Sequence, residues 1–363
     1  MGRSIFVIVC ILTLFPQIMI GAEIDSLIKK EGDFLVLPII FYTTETKLAA
    51  GAMVNYYFRV LTDKLYTRPS SILTAITYTQ NHQIMSEINT DIYSKNETYN
   101  LNSRIAYVKF PNKFYGIGNN TPEDAEEDFT SKTFSLKLNI LKKMYSALRI
   151  GFQYEFEQNR IIRVERNGLL AQGDILGSQG GMVSGAGLML NWDTRDNIFC
   201  PSSGSFYQLS TILFNHMLAS DYNFSRYTIE LRKYFSLFSS HILALQGYMN
   251  VITGDPPFEM MSLFGGRERM RGYFEGRYRD KDMIAFQIEY RIVPLWWRFG
   301  IVGFVGLGDV SNNIKNFEIK KFKYSIGCGL RYLFNLQEKI NLRLDMGYGK
   351  NTSGIYITFG EAF

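Results

Sequence analysis

The chain has 363 residues, of which 46% are hydrophobic and 15% aromatic, a composition that excludes a disordered protein. Its 39 basic and 34 acidic residues give a formal charge of +5 and are spread along the chain, which argues against nucleic acid as a partner. The three cysteines form neither a disulfide framework nor a zinc-binding pattern, and we expect no cofactor or metal.

The first element along the chain is an apolar segment. Residues 1–22 contain one early positive charge, Arg3, then a long apolar run and the small pair Gly21 and Ala22. This is the layout of a cleavable secretory signal. An uncleaved membrane helix is the alternative, but Pro16 interrupts the run, which is short of the ~20 apolar residues that a spanning helix needs. We therefore predict a signal peptide over residues 1–22 and a barrel domain over residues 23–363.

Beyond this segment, the chain is dominated by long stretches in which apolar and polar residues alternate. In residues 284–292 one face carries only apolar side chains, whereas the other carries Ala285, Gln287, Glu289 and Arg291. Such stretches run about 10 to 14 residues, the length of a strand tilted across a bilayer, whereas about 5 to 6 residues is usual in a soluble sandwich. A charge facing lipid near the midplane costs ~2 to 4 kcal/mol, which explains why the charges keep to one face.

The alternation predicts an all-β fold, a transmembrane antiparallel up-and-down β-barrel with about 16 strands. The strands are expected near residues 34–42, 47–59, 70–80, 82–94, 97–110, 129–141, 144–158, 181–194, 204–216, 222–236, 240–252, 282–293, 298–309, 322–334, 338–349 and 354–363. Short and long connections alternate, so we place the short ones at the periplasmic side. The expected location is the outer membrane of a Gram-negative-type bacterium, with the lipid bilayer and lipopolysaccharide as surroundings.

The last predicted strand carries Ile355, Ile357, Phe359 and Phe363 on one face. It resembles the terminal strand that the bacterial barrel-assembly machinery reads, with Phe359 and Phe363 as the signal, so this machinery is an expected partner. Glu361 interrupts the apolar alternation, which indicates a position at the membrane interface or a bulge.

Three motifs together carry a family resemblance. Arg271, Gly272 and Tyr273 follow a glycine pair and precede strand 282–293; residues 190–210 contain Asp193, Thr194, Arg195, Asp196 and Asn197 between two strands; and residues 38–58 form the entry strands. These motifs resemble those of the BamA/TamA superfamily of outer-membrane assembly barrels.

The resemblance implies that the loop around Arg271 folds into the lumen and that wall carboxylates hold the arginine. Glu289 is the matching wall residue. Gly306 stands where the family usually has a second, acidic partner, so Asp345, or Asp309 if its strand has already ended, is the candidate replacement. Gly272 allows a tight turn and Tyr273 wedges the loop against the wall. The alternative is an exposed charged loop without lumenal contact.

Asp193, Arg195 and Asp196 form a predicted inner-rim motif. These side chains are expected to pair with one another or to cap their turn. Their match to the family signature also leaves a functional role open.

Enzymatic motifs are missing from the sequence. The three histidines, His82, His216 and His241, have no serine or aspartate at a recognisable spacing, and there is no nucleophile elbow or Walker sequence. We therefore expect no enzyme.

Only residues 23–33 precede the first strand, so we expect no periplasmic POTRA domain. The preferred function is assistance in insertion or translocation of protein or lipid, with unfolded proteins as possible clients. A gated or passive pore and a surface antigen or adhesin scaffold remain alternatives, and the client, solute and oligomeric state stay open.

Overall fold

The structure of the protein is a computed structural model, and it describes residues 34–58, 70–336 and 339–363. The predicted signal peptide lies outside these residues. Sixteen strands of the described chain close into one antiparallel barrel, which confirms the predicted fold. In chain order the strands are β1 (Phe34–Thr43), β2 (Lys47–Phe58), β3 (Ser70–Thr79), β4 (Ile84–Tyr93), β5 (Tyr99–Phe114), β6 (Glu127–Tyr145), β7 (Leu148–Val164), β8 (Gly180–Asp193), β9 (Gly204–Phe214), β10 (Phe224–Phe238), β11 (His241–Gly254), β12 (Ser262–Phe264), β13 (Tyr278–Asp280), β14 (Asp282–Trp296), β15 (Phe299–Ser311), β16 (Lys323–Asn335), β17 (Ile340–Gly349) and β18 (Thr352–Phe359).

The strands β12 and β13 do not belong to the barrel wall. They form a separate two-stranded sheet inside the long connection between β11 and β14. Within the described residues, helical structure is limited to one turn of α-helix, Leu169–Gln172, and five 3₁₀ turns, Lys95–Glu97, His216–Leu218, Phe258–Met260, Ile314–Asn316 and Ile319–Lys321. None of the helices in the described part of the chain is long and apolar enough to cross a membrane.

The alternation of the sequence matches the two faces of the wall. On β14, Phe286 and Ile288 are exposed on the outside, whereas Gln287 and Glu289 are buried inside. On β17 the same split buries Asn341, Arg343 and Asp345. Because side chains alternate across a strand, β14 and β17 present their charges to the lumen and their apolar residues to lipid.

The three longest strands of the described chain all exceed their predicted lengths. β5, β6 and β7 have 16, 19 and 17 residues, and β6 begins at Glu127 and not at residue 129. Their outer ends carry polar pairs, such as Lys113 of β5 with Glu126, the residue directly before β6. Above the lipid no face has to be apolar, so the pattern that marks a membrane strand ends before the hydrogen-bonded ladder does.

The terminal strand is shorter than predicted, which corrects the expectation for residues 354–363. Pairing with β17 ends at Phe359, which faces outward and is 50% exposed. At Gly360 the main chain adopts φ +79°, and Phe363 then lies inside the barrel with 3% exposure. The prediction that Phe363 shares one face with Phe359 is therefore wrong. Glu361 is neither at the interface nor in a bulge, because its side chain turns inward to buried arginines.

The lumen is filled on one side by the connection between β11 and β14. We call residues 255–281 the plug loop. Its Phe264, Met270 and Tyr273 pack in one buried cluster with Met283 of β14 and Val310 of β15. The plug loop is thus held by apolar packing as well as by the charges described next.

Candidate functional site

The arginine that the sequence singled out lies in the lumen, against the inner wall of the barrel. Arg271 is fully buried, and its guanidinium donates to Glu289 of β14 and to Asp345 of β17, the latter at 2.5 Å. Its Cζ also lies 3.5 Å from the ring centroid of Phe304 on β15. We call these four residues the arginine clamp. The guanidinium fork suits this task because it reaches two carboxylates at once and stacks on an aromatic face.

The tip of the plug loop rests directly on the main chain of β17. Gly272 has φ +110°, a conformation that side-chain-bearing residues rarely adopt. An added Cβ on Gly347 would lie 2.6 Å from the main-chain carbon of Arg271. Glycine at both positions therefore permits the close approach that brings Arg271 level with Asp345.

Tyr273 anchors the tip of the plug loop to the neighbouring wall strands. Its hydroxyl donates to the main-chain oxygen of Tyr324 at 3.0 Å and accepts from the Lys350 amide at 2.9 Å. The Tyr356 hydroxyl donates to the Tyr273 main-chain oxygen at 3.2 Å. The tip is consequently tied to β16, β18 and the β17–β18 turn.

Glu289 and Asp345 are shared with other arginines of the wall. Arg291 donates to Glu289 at 2.7 Å, Arg331 donates to Asp345 at 2.6 Å, and Arg331 also donates to Glu361 at 2.8 Å. All of these side chains are at most 1% exposed. Interlocked buried charges of this kind form a network, in which Glu289 and Asp345 are each held by Arg271 and by a second arginine.

The structure brings together most of the predicted loop site but not every candidate. Asp345 occupies the second acidic place, whereas Asp309 accepts from Lys323 at 2.6 Å and from Asn119 at 3.1 Å. Gly306, which replaces the usual acid, lies under the loop, because an added Cβ there would meet the Met270 sulfur at 3.2 Å. The alternative of an exposed loop without lumenal contact does not agree with these contacts.

Several members of the site were not singled out from the sequence. Arg291, Arg331 and Arg343 all lie on the inward parity of their strands, which was visible, but alternation gives no information about height in the barrel. The ring of Phe304 and the side chain of Glu361 were likewise missed. Only the register of β14 to β18 places these groups at one level.

The inner-rim motif lies in the turn between β8 and β9. Arg195 donates twice to Asp193, at 2.9 Å in both contacts, and its Cζ lies 4.6 Å from the Phe206 ring centroid. Asp196 accepts from the Ser202 and Ser203 amides at 2.9 and 3.0 Å. Burial acts to raise the pKa of Asp196, but the hydrogen bonds from Ser202 and Ser203 have the larger combined effect. The pKa of Asp196 therefore lies below its usual value. These contacts shape the turn and do not reach Arg271.

The lumen also contains open space beside the plug loop. A cavity of about 470 Å³ lies between the plug loop and the wall from β6 to β11. Its polar lining includes Lys137, Gln153, Glu155, Arg226 and Arg269. Within the described residues, no group of three or more His, Cys, Asp or Glu side chains is placed to hold a metal ion.

These features define a class of protein: a sixteen-strand outer-membrane β-barrel with a plug loop clamped inside its lumen. Residues 65–363 match the Omp85 superfamily domain, and the chain belongs to that superfamily. No curated protein sequence matches the chain. Family and fold together support a broad role in insertion or secretion of protein at the outer membrane.

Solved structures show the same fold at low sequence identity. BamA from Haemophilus ducreyi lacking POTRA domains 1–3 superposes with a TM-score of 0.64 at 14% identity, covering 92% of this chain and 71% of that one. CdiB from Acinetobacter baumannii gives 0.54 at 12%, covering 90% and 59%. CdiB from Escherichia coli gives 0.56 at 6%, covering 93% and 69%.

Proposed function

We propose that this chain assists insertion or translocation of protein or lipid at the outer membrane, without enzymatic chemistry, and that the plug loop is its conformational plug. The observation that carries the proposal is the seam between the first and last strands. Among the described residues the β1–β18 register contains one pair, Tyr42 opposite Ile357. The neighbouring β1–β2 ladder runs from Phe34–Tyr56 to Thr43–Lys47.

A nearly unpaired seam supports this function for a physical reason. Unpaired main-chain groups in lipid are costly, so an edge at this position favours pairing with another strand. An entering client strand at the seam would satisfy these groups by pairing with them. The arginine clamp lies close to this edge, because Asp345 of β17 is opposite Tyr356 of β18.

The remaining partners follow from the same proposal. The barrel surface contacts the lipid bilayer and lipopolysaccharide, unfolded proteins are the clients, and the barrel-assembly machinery inserts the chain itself. The inner-rim residues Asp193, Arg195 and Asp196 then fix the turn at the periplasmic mouth, and Phe359 is the lipid-facing part of the terminal signal.

The test measures the folding rate of an unfolded test barrel into liposomes. Empty liposomes are compared with liposomes that contain the wild type, Arg271→Ala or Arg267→Ala. Arg267 is the matched control, because it lies in the same loop with its side chain 50% exposed. We expect acceleration by the wild type and by Arg267→Ala, and loss of the gain in Arg271→Ala. Equal rates in all four preparations would exclude an assembly function.

A pore is the second candidate, and the cavity beside the plug loop favours it. Solute flux through the same liposomes separates the two functions. A flux without accelerated folding supports the pore. If neither folding acceleration nor solute flux is measured, the barrel is a scaffold for the outer loops of a surface antigen or adhesin.

A further inference from the structure

The four residues after β18 lie in the lumen like a short bound peptide. We call Gly360–Phe363 the tail segment. After Phe359 its main chain has two main-chain hydrogen bonds in the described chain, from the Gly360 amide to Asn341 at 2.8 Å and from the Glu361 amide to Phe199 at 3.3 Å. The other contacts are made by side chains of the pocket around it. Such attachment resembles peptide recognition by pockets more than strand pairing.

The pocket recognises two features of the tail segment. The carboxylate of Glu361 accepts from Arg331 at 2.8 Å and from Asn341 at 2.7 Å. The ring of Phe363 packs with Tyr234 and Ala244, and the Arg291 Cζ lies 5.5 Å from its centroid. An acidic side chain two positions before a phenylalanine is therefore the chemistry that fills this pocket.

A third contact fixes the end of the segment. Arg291 Nη2 donates to the main-chain oxygen of Phe363 at 2.8 Å. Arg291 and Arg331 also contact Glu289 and Asp345, the carboxylates of the arginine clamp. The pocket and the clamp thus share one network of buried charges.

We propose that this pocket is a peptide-binding site that the tail segment occupies within the chain and that the acidic-x-phenylalanine segment of a client barrel occupies in exchange. The client part of this inference rests on the proposed insertion function. Exchange is feasible because the β17–β18 pairs end at Phe359, so release of the tail segment from its pocket breaks no pair of this ladder. Its contacts would be replaced by equivalent ones from the incoming segment, so little net cost arises.

The test uses the full chain in detergent micelles and a fluorescent peptide, TFGEAF, that copies residues 358–363. The pocket is emptied by the double substitution Glu361→Ala and Phe363→Ala. We expect this variant to bind the peptide at least tenfold more tightly than the wild type. Peptides TFGQAF and TFGEAA should bind it at least tenfold more weakly than TFGEAF, and an amidated peptide shows whether a free carboxylate matters. The pocket proposal would be contradicted if TFGEAF bound the wild type and the variant equally well. It would also be contradicted if all three peptides bound the variant equally well.

A second measurement covers the case in which the double variant does not fold. Excess TFGEAF is added to the wild type, and hydrogen exchange of the tail segment is measured. Faster exchange with TFGEAF but not with TFGEAA supports displacement, and unchanged exchange contradicts it.

The client role is tested separately in the liposome assay. A test barrel ending in acid-x-phenylalanine is compared with one in which both residues are alanine, and we expect at least a fivefold loss of acceleration. Peptide binding without any acceleration of test-barrel folding would contradict the proposed insertion function but support the peptide-binding pocket. Acceleration of folding without peptide binding would contradict the pocket alone.

Discussion

Arg271 is a residue whose position depends on several neighbours at once. Removing one partner of a buried ion pair costs about 3 to 5 kcal/mol, because the other charge is left without compensation. Glu289 and Asp345 each keep a second arginine when Arg271 leaves, so the loss falls mainly on the plug loop. The clamp can therefore release the loop while the wall network stays intact.

The approach of the loop to Gly347 gives a sharp test at this scale. Gly347→Ala places a Cβ 2.6 Å from the Arg271 main chain, so the tip must shift and we expect a loss of about 1 to 3 kcal/mol in unfolding free energy. Trypsin cleavage at the loop arginines should accelerate in detergent micelles. Gly303→Ala is the control, because a Cβ there meets no atom within 4 Å and should change stability by less than about 0.5 kcal/mol. Equal cleavage of both variants would contradict the close packing of the tip.

A second residue in the plug loop predicts a pH dependence. Burial, together with the negative charge of the nearby Glu157, raises the pKa of Glu259 to about 8. The folded protein then binds more protons than the unfolded chain between pH 4.5 and 8, so stability falls as pH rises through this window. We expect the melting temperature to decrease from pH 5 to pH 9, and Glu259→Gln to reduce that slope. An unchanged slope in Glu259→Gln would assign the effect to other groups.

At the residue scale the sequence predicted which face Glu289 and Asp345 occupy, because alternation determines the side of a strand. It did not predict that Arg331 joins Asp345 to Glu361, since this depends on the register of three strands and on the inward bend at Gly360. A positive φ at one glycine is a local choice that a periodic pattern does not encode.

Among the elements, β1 and β18 differ from every other pair in the barrel. The strands β17 and β18 pair from Leu342–Phe359 to Gly349–Thr352, whereas β1 and β18 share the pair Tyr42–Ile357 in the described chain. Alternation predicted both strands, but not how well their ends align. The alignment of the β1 and β18 ends depends on the shear of the closed barrel, that is, on the stagger of register summed over all strands. The sequence of a single strand does not determine it.

The weak pairing between β1 and β18 leads to a prediction for a disulfide that joins these two strands. Tyr42→Cys with Ile357→Cys joins β1 to β18 by a disulfide, in a background with Cys200→Ser and Cys328→Ser. We expect the oxidised variant to lose acceleration of test-barrel folding and to regain it on reduction, because a client needs the edge. Met346→Cys with Ile355→Cys, across the well-paired β17–β18 ladder, is the control and should stay active in both states. Full activity of the oxidised seam variant would move the insertion site elsewhere.

For the whole molecule, the plug loop and the tail segment obstruct the lumen from two ends. The outer part of the loop is also covered, because Arg277 donates to the Thr121 hydroxyl and main-chain oxygen at 2.8 and 2.9 Å. The Gly118 amide donates to the Arg279 main-chain oxygen at 2.8 Å. The open volume beside the loop is therefore a side chamber whose connection to both surfaces depends on where the loop sits.

Ion conductance in planar bilayers measures that dependence directly. Releasing the clamp lets the plug loop move into or out of the cavity beside it, so Arg271→Ala and Glu289→Gln should both give larger and more variable single-channel currents than the wild type. Arg267→Ala should conduct like the wild type, since its side chain is half exposed and outside the clamp. If the two clamp variants instead conduct like the control, the obstruction is held by the apolar cluster of Phe264, Met270 and Tyr273 and not by charge. The choice matters for function, because a plug held by buried charges can be released by a competing charge, whereas one held by apolar packing needs a competing apolar surface.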